Sequence, residues 1–248
     1  MTGALPTIQV LGSGDAFGNG GRYQACILIE HDACRVLLDC GATSLTAMKH
    51  FGVDPGEIDA VVISHYHADH YGGIPFLVLD GQFSQRMRPL AIIGPGDVER
   101  RVTVAMETAF PGSSMTTRRF PLTFHELQVG SETRVEDATV LALHAAHTPG
   151  SDAVALRLSV GGASIAYSGD TEWISTLPEL AAGADLLICE SYTWQKRVPY
   201  HLDYVTFAAH RSELSAKRTV LTHLGPEMLQ HLTQATEETA RDGLRIAL

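Results

Sequence analysis

A short segment in the first third of the chain concentrates residues that can bind metal ions. Its four potential ligands fall within six residues and directly follow an apolar run at residues 61–63: His65, His67, Asp69 and His70. On a helix, residues two apart point about 200° apart, whereas in extended chain they project from the same side. His65 and His67 are therefore predicted to leave a strand and share one ion. If the chain then turns, Asp69 and His70 face a second ion, which predicts a two-metal hydrolase site.

The residues around this cluster suit a metal-binding loop. Ala68, Gly72 and Gly73 are small, and we expect them to let the backbone pass close to the ions without side-chain clashes. The chain has 12 histidines among 248 residues, so a local cluster is by itself only suggestive. Further ligands at the ends of downstream strands are needed to complete two metal sites.

The elements that must position the cluster follow from alternation and from turn residues. Apolar or alternating segments bounded by turn residues predict strands, at residues 8–11, 25–30, 35–39, 60–64, 89–93, 122–127, 139–146, 153–160, 163–168, 185–190 and 217–222. Helices are predicted through residues 45–48, 74–79 and 97–109. In both halves of the chain, strands come in runs and are followed by helices. This order has the outline of two sheets packed face to face with helices outside.

Composition indicates a globular protein without a membrane span. Hydrophobic residues make up 45% and charged residues 19% of the 248 residues, and a chain of this length can bury a substantial core. No uninterrupted apolar run approaches the ~20 residues of a transmembrane helix. Residues 1–6 lack the basic and apolar regions of a secretory signal. We therefore expect a cytoplasmic protein.

The charge balance argues against a large nucleic acid as partner. The formal net charge is −10 at pH 7, whereas proteins that neutralise many phosphates present a basic face. Arginines form small clusters typical of a solvated surface, at positions 86 and 88, 100 and 101, and 118 and 119. Bulk charge therefore favours a small substrate, although bound divalent ions would offset some negative charge locally.

The cysteines show neither metal-binding nor redox spacing. Cys26, Cys34, Cys40 and Cys189 form no CxxC pair, and we expect them to be buried small apolar residues. Cys26 and Cys34 could face each other across a hairpin, although a disulfide would be unusual in a reducing compartment.

The ligand segment also resembles a known family. Residues 65–73 read HYHADHYGG and resemble the HxHxDH signature of the metallo-β-lactamase superfamily. The chain is more similar to its ribonuclease Z and cyclic-phosphodiesterase branch than to the true β-lactamases, and the resemblance runs nearly end to end. It implies an α/β fold, a four-layer αββα sandwich of two mixed β-sheets, as a single domain over residues 1–248. It also implies a set of seven metal ligands, in chain order His65, His67, Asp69, His70, His147, Asp170 and His223.

Three of these ligands lie far downstream of the cluster. The resemblance implies that His147 completes the first metal site, that Asp170 bridges both metals and that His223 is the last ligand. Each of them follows a predicted strand. His144 stands three residues before His147 and would lie on the opposite face of a strand, so we expect a structural role for it.

Two further residues point to the ribonuclease Z-like branch. Glu190 and His201 resemble a Glu/His pair of those enzymes, in which the carboxylate orients the imidazole and makes it a better acid. Leu202 departs from the family, which usually has a small hydroxylated residue after the histidine. The alternative for His201 is a surface position before Asp203, which would cap a helix.

Asp39, at the end of the second hairpin strand, allows two interpretations of equal weight. In the resembled family an aspartate at this place supports the metal loop from behind the ligands. A carboxylate at a strand end could equally cap the helix that begins after Thr43.

The resemblance implies metal-assisted hydrolysis. Histidine nitrogens and carboxylates suit two divalent ions, with Zn²⁺ favoured and Mn²⁺ as the alternative. Water held by two such ions is acidified to a pKa of about 7, which supplies the attacking hydroxide at neutral pH. Asp69 would orient it, and His201, oriented by Glu190, would protonate the leaving oxygen.

The favoured substrate is a small phosphodiester, either cyclic or nucleotide-derived. Bacterial ribonuclease Z carries a long tRNA-binding arm between its third histidine ligand and the bridging aspartate, whereas here His147 and Asp170 are 23 positions apart. Three alternatives stay open: a ribonuclease Z-like tRNA 3′ endonuclease without the arm, a lactone, ester or thioester hydrolase in which Tyr192 or Tyr200 faces the attacking water, and a non-catalytic metal-binding accessory protein. The resembled family often forms homodimers, but the sequence marks no interface.

Overall fold

Two mixed β-sheets form the centre of the computed structural model, which describes residues 5–32 and 34–248. The strands in chain order are β1 (Thr7–Gly12), β2 (Cys26–His31), β3 (Cys34–Leu38), β4 (Ala60–Val62), β5 (Leu90–Gly94), β6 (Leu122–Glu126), β7 (Glu132–Val135), β8 (Ala138–His144), β9 (Val154–Val160), β10 (Ala163–Tyr167), β11 (Leu186–Glu190), β12 (Arg218–Thr222), β13 (Glu238–Thr239) and β14 (Leu244–Ala247). The first sheet has the order β14-β1-β2-β3-β4-β5-β6 and the second the order β13-β12-β11-β10-β9-β8-β7.

Helices cover the outer faces of both sheets. They are α1 (Ser44–His50), α2 (Ala68–Tyr71), α3 (Ile74–Phe83), α4 (Val98–Ala109), α5 (Thr176–Ala181), α6 (Tyr204–Ala209) and α7 (Pro226–Leu229). The helices α1, α3 and α4 pack on the first sheet, and α5, α6 and α7 pack on the second.

Three apolar clusters hold these layers together. Between the sheets, residues such as Ile8 and Leu156 are completely buried and form a shared core. A second cluster, which includes Leu77, joins the first sheet to its helices, and a third, which includes Phe207, does the same for the second sheet. Each such buried side chain stabilises the fold by about 1.5–3 kcal/mol. The predicted four-layer arrangement with helices outside two facing sheets is thereby confirmed.

Strand direction explains why distant ligands emerge together. In the first sheet β3, β4, β5 and β6 run parallel. In the second, β8 is antiparallel to β9 and β9 is antiparallel to β10, so β8 and β10 point the same way as β11 and β12. The carboxyl ends of parallel strands meet at the same edge of a sheet. Where β4 and β9 approach, the Val154 amide donates to the Ser64 carbonyl at 2.9 Å and joins the two sheets.

Several short elements differ from the sequence predictions. β7, β13, β14, α2, α5 and α7 are not predicted, and β4 ends at Val62, before the ligand loop. β14 exists because it pairs with β1, with Thr7 opposite Ala247. Neither the length nor the alternation of such a segment reveals a partner strand more than 200 residues away.

The cysteines are buried, as predicted, and all four are free thiols among the described residues. In the hairpin of β2 and β3, Cys34 pairs with His31, whereas Cys26 lies opposite Gly12 of β1. This register separates Cys26 from Cys34 and rules out the disulfide between them.

Within the described part of the chain, no helix is long and apolar enough to cross a membrane. The expectation about a secretory signal concerns residues 1–6, of which residues 1–4 lie outside the described residues. A single domain over residues 1–248 stays a prediction.

Candidate metal centre

The first group of potential ligands joins both halves of the chain. His65 and His67 follow β4, and His147 follows β8. One ring nitrogen from each lies within 4.8 Å of the others, and His67 Nδ1 is 3.1 Å from His147 Nε2. The structure therefore brings the three predicted ligands of the first site together, while His144 is exposed and lies outside this group.

The second group is buried and contains two carboxylates. Asp69 and His70 begin α2, and they meet Asp170 and His223, which follow β10 and β12. His70 Nε2 lies 3.3 Å from Asp69 Oδ2 and 3.3 Å from Asp170 Oδ1. His223 Nε2 lies 3.3 Å from Asp170 Oδ2. All four residues are at most 6% exposed.

Asp170 lies between the two groups. Besides its contacts in the second group, its Oδ2 is 3.9 Å from His65 Nε2 of the first group. Burial by itself would raise the pKa of this carboxyl, but its interactions with His223 and His70 hold the pKa well below its usual range. A carboxylate that stays ionised between two ligand groups has the geometry predicted for a bridge. The ligand roles themselves stay predictions.

Unpaired buried atoms indicate that the centre suits a cation. The ring nitrogens His65 Nε2 and His70 Nε2 and the oxygen Asp170 Oδ1 are buried without a hydrogen-bond partner among the described residues. An unsatisfied buried polar atom costs about 1–3 kcal/mol, and three of them converge here. A set of imidazole nitrogens and carboxylate oxygens fits divalent ions such as Zn²⁺ or Mn²⁺.

Asp39 supports the ligand loop from behind. Its Oδ2 accepts hydrogen bonds from the Ser64 hydroxyl at 2.8 Å and the Tyr167 hydroxyl at 2.8 Å, and it lies 2.7 Å from His70 Nδ1. Its Oδ1 accepts from the Ser64 amide at 2.7 Å. Because Nδ1 of His70 is engaged, Nε2 is the nitrogen that faces the second group. The supporting interpretation of Asp39 therefore agrees with the structure, and Thr43 begins α1 without a side-chain cap.

A close backbone contact fixes the other side of the ligand loop. Gly73 donates its amide to the Cys40 carbonyl at 2.8 Å. A Cβ at Gly73 would lie 2.2 Å from the Gly41 carbonyl oxygen, which no side chain tolerates. The glycine is therefore needed where the turn after Asp39 passes against the loop.

Strained backbone orients two ligands of the second half. Tyr200 has φ +71° and its carbonyl accepts from His147 Nδ1 at 2.8 Å. His223 itself has φ +56°. A non-glycine residue in this left-handed region costs about 1–3 kcal/mol and is found where the surroundings impose it, often at functional sites. Asp39, with φ +59°, is a third such residue at the centre.

Glu190 and His201 form the predicted pair. Glu190 is completely buried, and its Oε2 lies 3.1 Å from His201 Nδ1. Burial by itself would lower the pKa of His201, but the hydrogen bond and the charge of Glu190 raise it to about 9. The contact with Glu190 therefore favours the protonated form of His201. Asp203 does cap α6 by accepting from the Thr206 amide at 2.8 Å, but the His201 side chain is only 20% exposed and is not the surface histidine of the alternative interpretation.

A small cavity opens onto both ligand groups. Its volume is about 190 Å³. The residues that line it come from both halves of the chain: Ala16, Phe17, His67, Asp69, Asp170, Tyr192, His201 and His223. A reactant in this cavity would touch the carboxylates and His201 at once.

One protein-family model, described as anti-Pycsar protein Apyc1, matches residues 6–241 of the 248-residue chain. The chain belongs to the anti-Pycsar protein Apyc1 family.

Comparisons with individual proteins show the wider relationship of this Apyc1 family member. It is 26% identical over 240 residues to ribonuclease Z of Mycobacterium bovis, covering 88% of the chain and 86% of that protein. Its structure is similar to the metallo-β-lactamase fold protein YhfI from Bacillus subtilis, with a TM-score of 0.80, 22% identity and coverage of 98% and 99% of the two chains. For the short form of human tRNase Z the TM-score is 0.79 at 23% identity, over 97% and 98% of the chains. The predicted metallo-β-lactamase fold and ribonuclease Z-like relationship are confirmed, and the relatives of the chain are hydrolases of this fold.

Several residues of the centre could not be identified from the sequence. Tyr167 reaches Asp39 across 128 positions of the chain, and the carbonyl of Tyr200 reaches His147 across 53 positions. The Thr171 amide donates to Glu190 Oε1 and helps to orient that carboxylate. Phe17 lines the cavity from a glycine-rich loop that has no recognisable motif. In this Apyc1 family member the Tyr167–Asp39 contact joins the two sheets, and the other contacts join segments at the edge of the second sheet.

Proposed function

We propose that the chain is a binuclear metal-dependent hydrolase that cleaves a small phosphodiester, cyclic or nucleotide-derived. The observation that carries this proposal is the position of His201, which is hydrogen-bonded to Glu190 and borders the same cavity as both ligand groups. A protonated imidazole next to a metal centre suits a reaction whose leaving group is an alkoxide.

Seven residues would hold the two divalent ions: His65, His67, Asp69, His70, His147, Asp170 and His223. When bound, such ions polarise the phosphoryl oxygens and make water a nucleophile at neutral pH. Zn²⁺ is the favoured ion because imidazole dominates the first group, and Mn²⁺ suits the oxygen-richer second group.

The chain's own residues supply orientation and a proton. Asp69 lines the cavity and would orient the attacking water towards phosphorus. His201 uses Nδ1 to contact Glu190, which leaves Nε2 to donate its proton to the leaving oxygen. General acid catalysis of this kind is worth about 10²–10⁴-fold in rate.

The size and charge of the site support a small substrate. The cavity of about 190 Å³ is below the ~300 Å³ at which pockets for drug-sized ligands begin. All residues between His147 and Asp170 are described, and they form β9, β10 and their connecting turns without a projecting arm. Together with the net charge of −10, this argues against a tRNA endonuclease, although ribonuclease Z is a relative.

A hydrolase of lactones, carboxyl esters or thioesters is the second candidate. The observation that favours it is Tyr192, which lines the same cavity as His201, whereas Tyr200 does not. A tyrosine hydroxyl there could stabilise the oxyanion of an acyl substrate.

Hydrolysis of bis(p-nitrophenyl) phosphate and of a 3′,5′-cyclic nucleotide by Zn²⁺- and Mn²⁺-loaded protein tests the proposal. We expect His201→Ala to lower kcat by about 10²–10⁴-fold with unchanged metal content, and Asp170→Ala to lose both metal and activity. His210→Ala is the matched control, because His210 is partly exposed, pairs with Glu213 and lies away from the cavity. Bound metal without turnover of either phosphodiester would refute the proposal. A parallel lactone and thioester panel then separates the acyl hydrolase from a non-catalytic protein.

A further inference from the structure

A tightly bonded loop presents an aromatic side chain at the mouth of the centre. Asp15 is completely buried and its Oδ1 accepts hydrogen bonds from the amides of Phe17 at 3.2 Å and Asn19 at 3.1 Å. Its Oδ2 accepts from Asn19 Nδ2 at 2.6 Å, and Gln24 Nε2 donates to the Ala16 carbonyl at 2.8 Å. The backbone on both sides of Phe17 is therefore held in place.

Phe17 itself is 81% exposed. A single exposed apolar residue on a protein surface needs no explanation, and Phe83 on α3 is 78% exposed without a site nearby. Phe17 differs from Phe83 because it borders the cavity that contains Asp69, Asp170 and His201. A phenyl ring kept in water next to a reaction centre is available to a ligand.

The dimensions of the cavity suggest which part of a ligand would reach this ring. About 190 Å³ accommodates a phosphodiester and part of a sugar, but not a whole nucleotide. The remainder of the substrate would extend beyond this cavity, and Phe17 is the exposed aromatic residue at its edge. The opposite aromatic residue, Tyr192, is engaged with His201 at 4.7 Å and with His223 at 5.8 Å between ring centroids. Phe17 is thus the lining aromatic ring that is mainly open to solvent.

We propose that Phe17 is the stacking surface for the nucleobase of a nucleotide-derived phosphodiester. This inference rests on the function proposed above and specifies the substrate class further. Bases stack on aromatic side chains because each base offers a π face, with a contribution of about 1–3 kcal/mol per base. Phe17 is a binding residue and takes no part in the proton transfers.

Kinetics with a matched substrate pair test this role. The pair is a 3′,5′-cyclic nucleotide and the same cyclic ribose phosphate without its base. For Phe17→Ala we expect KM of the nucleotide to rise about 10-fold with kcat within about 2-fold of wild type, and no change for the base-free compound. Phe17→Trp should retain the wild-type KM, whereas Phe17→Leu, which is apolar but has no π face, should behave like Phe17→Ala. Phe83→Ala is the control for loss of an exposed phenyl ring.

A binding measurement separates this inference from the proposed function. Equilibrium dialysis with a nucleoside 5′-monophosphate and with ribose 5-phosphate needs no turnover. We expect Phe17→Ala to weaken nucleotide binding about 10-fold and to leave ribose phosphate binding unchanged. Equal effects on both ligands, or none, would overturn the role of Phe17 even if the wild type hydrolyses phosphodiesters. Wild-type protein that hydrolyses neither phosphodiester would instead refute the proposed function, and the dialysis would still decide whether Phe17 stacks on a base.

Discussion

The candidate metal centre takes its ligands from both halves of the chain, and each half holds them by different means. The first half contributes His65, His67, Asp69 and His70, and the second half contributes His147, Asp170 and His223. In the first half, His70 is fixed by a side-chain hydrogen bond to Asp39, which also accepts hydrogen bonds from Ser64 and Tyr167. In the second half, Nδ1 of His223 is buried without a hydrogen-bond partner among the described residues, and its backbone has φ +56°. The first half is thus held mainly through the side chain of Asp39, which itself has φ +59°, and the second half through the backbone at Tyr200 and His223.

The two halves of the chain also differ in the roles that we propose for them. In the first half, the hydrogen bonds of Asp39 and the close backbone contact at Gly73 hold the ligand loop. The second half carries the Glu190–His201 pair, and the His201 side chain is 20% exposed. We therefore expect the first half to act mainly as a metal scaffold, although His67 and Asp69 also line the cavity, and the second half to supply the proton donor. Substitutions in the first half should change stability and metal affinity, and substitutions at the Glu190–His201 pair should change kcat.

Gly73→Ala should have the largest effect and tests the rigidity of the first half. Its new Cβ would lie 2.2 Å from the Gly41 oxygen and 2.9 Å from the Cys40 oxygen, both in backbone that cannot rotate away. We expect a loss of about 3 kcal/mol in the free energy of unfolding by urea, as for strong overpacking. Gly96→Ala is the matched control, because a Cβ at Gly96 meets nothing within 4 Å. Equal stability of the two variants would mean that the turn after Asp39 yields easily, and the scaffold interpretation would then be wrong.

Asp39→Asn should weaken metal binding without removing a ligand. The substitution keeps the size of the side chain but removes the charge that engages His70 Nδ1, and loss of such a supporting group typically lowers metal affinity by about 10–100-fold. Competition with a chromogenic chelator measures this. The control is Asp54→Asn, an exposed carboxylate that accepts from the Gly56 amide. If the affinity for metal ions were unchanged, the side chain of Asp39 would not be what holds the ligands of the first half.

Glu190→Gln should have the smallest effect, and on kcat instead of metal affinity. Glu190 raises the pKa of His201, so the variant should lower kcat by roughly 10-fold, at the lower end of general-acid effects. An acid must be protonated, and activity falls as the pH rises through its pKa. Because the substitution lowers the pKa of His201, the basic limb of the kcat profile should move to lower pH. Metal content should stay within about 2-fold of wild type.

A reversed pattern would contradict the division between the two halves. If Glu190→Gln released the metal and left the basic limb in place, the pair would serve the ligands and not the proton transfer. His201→Ala distinguishes the two cases, because it removes the imidazole and keeps the buried carboxylate, whereas Glu190→Gln keeps the imidazole and removes the charge of the carboxylate.

Much of the fold and of the candidate centre could be predicted from the sequence. The HxHxDH segment is contiguous, and the downstream candidates His147, Asp170 and His223 each follow a recognisable strand. These signals are local, because alternation and turn residues report on the neighbouring residues alone. For the same reason β14 and β7, which are short and defined by their partner strands, could not be predicted.

The choice between two roles for Asp39 shows where the sequence reaches its limit. Its residue type at a strand end suits a helix cap and a metal support equally, and the Tyr167 hydroxyl that accompanies the support comes from the other sheet. Similarly, nothing near Phe17 in the sequence indicates that its loop borders a cavity formed with His201 and His223.

The sequence alone determined which residue types can bind metal, and the strand pattern determined that they emerge at strand ends. The tertiary structure alone decided which of these groups meet. Two sheets joined at the Val154–Ser64 hydrogen bond bring the ends of β4, β8, β10 and β12 together, and this also decides which carboxylate supports which histidine. Contacts between residues more than 100 positions apart depend on the packing of whole sheets, and no local pattern encodes that packing.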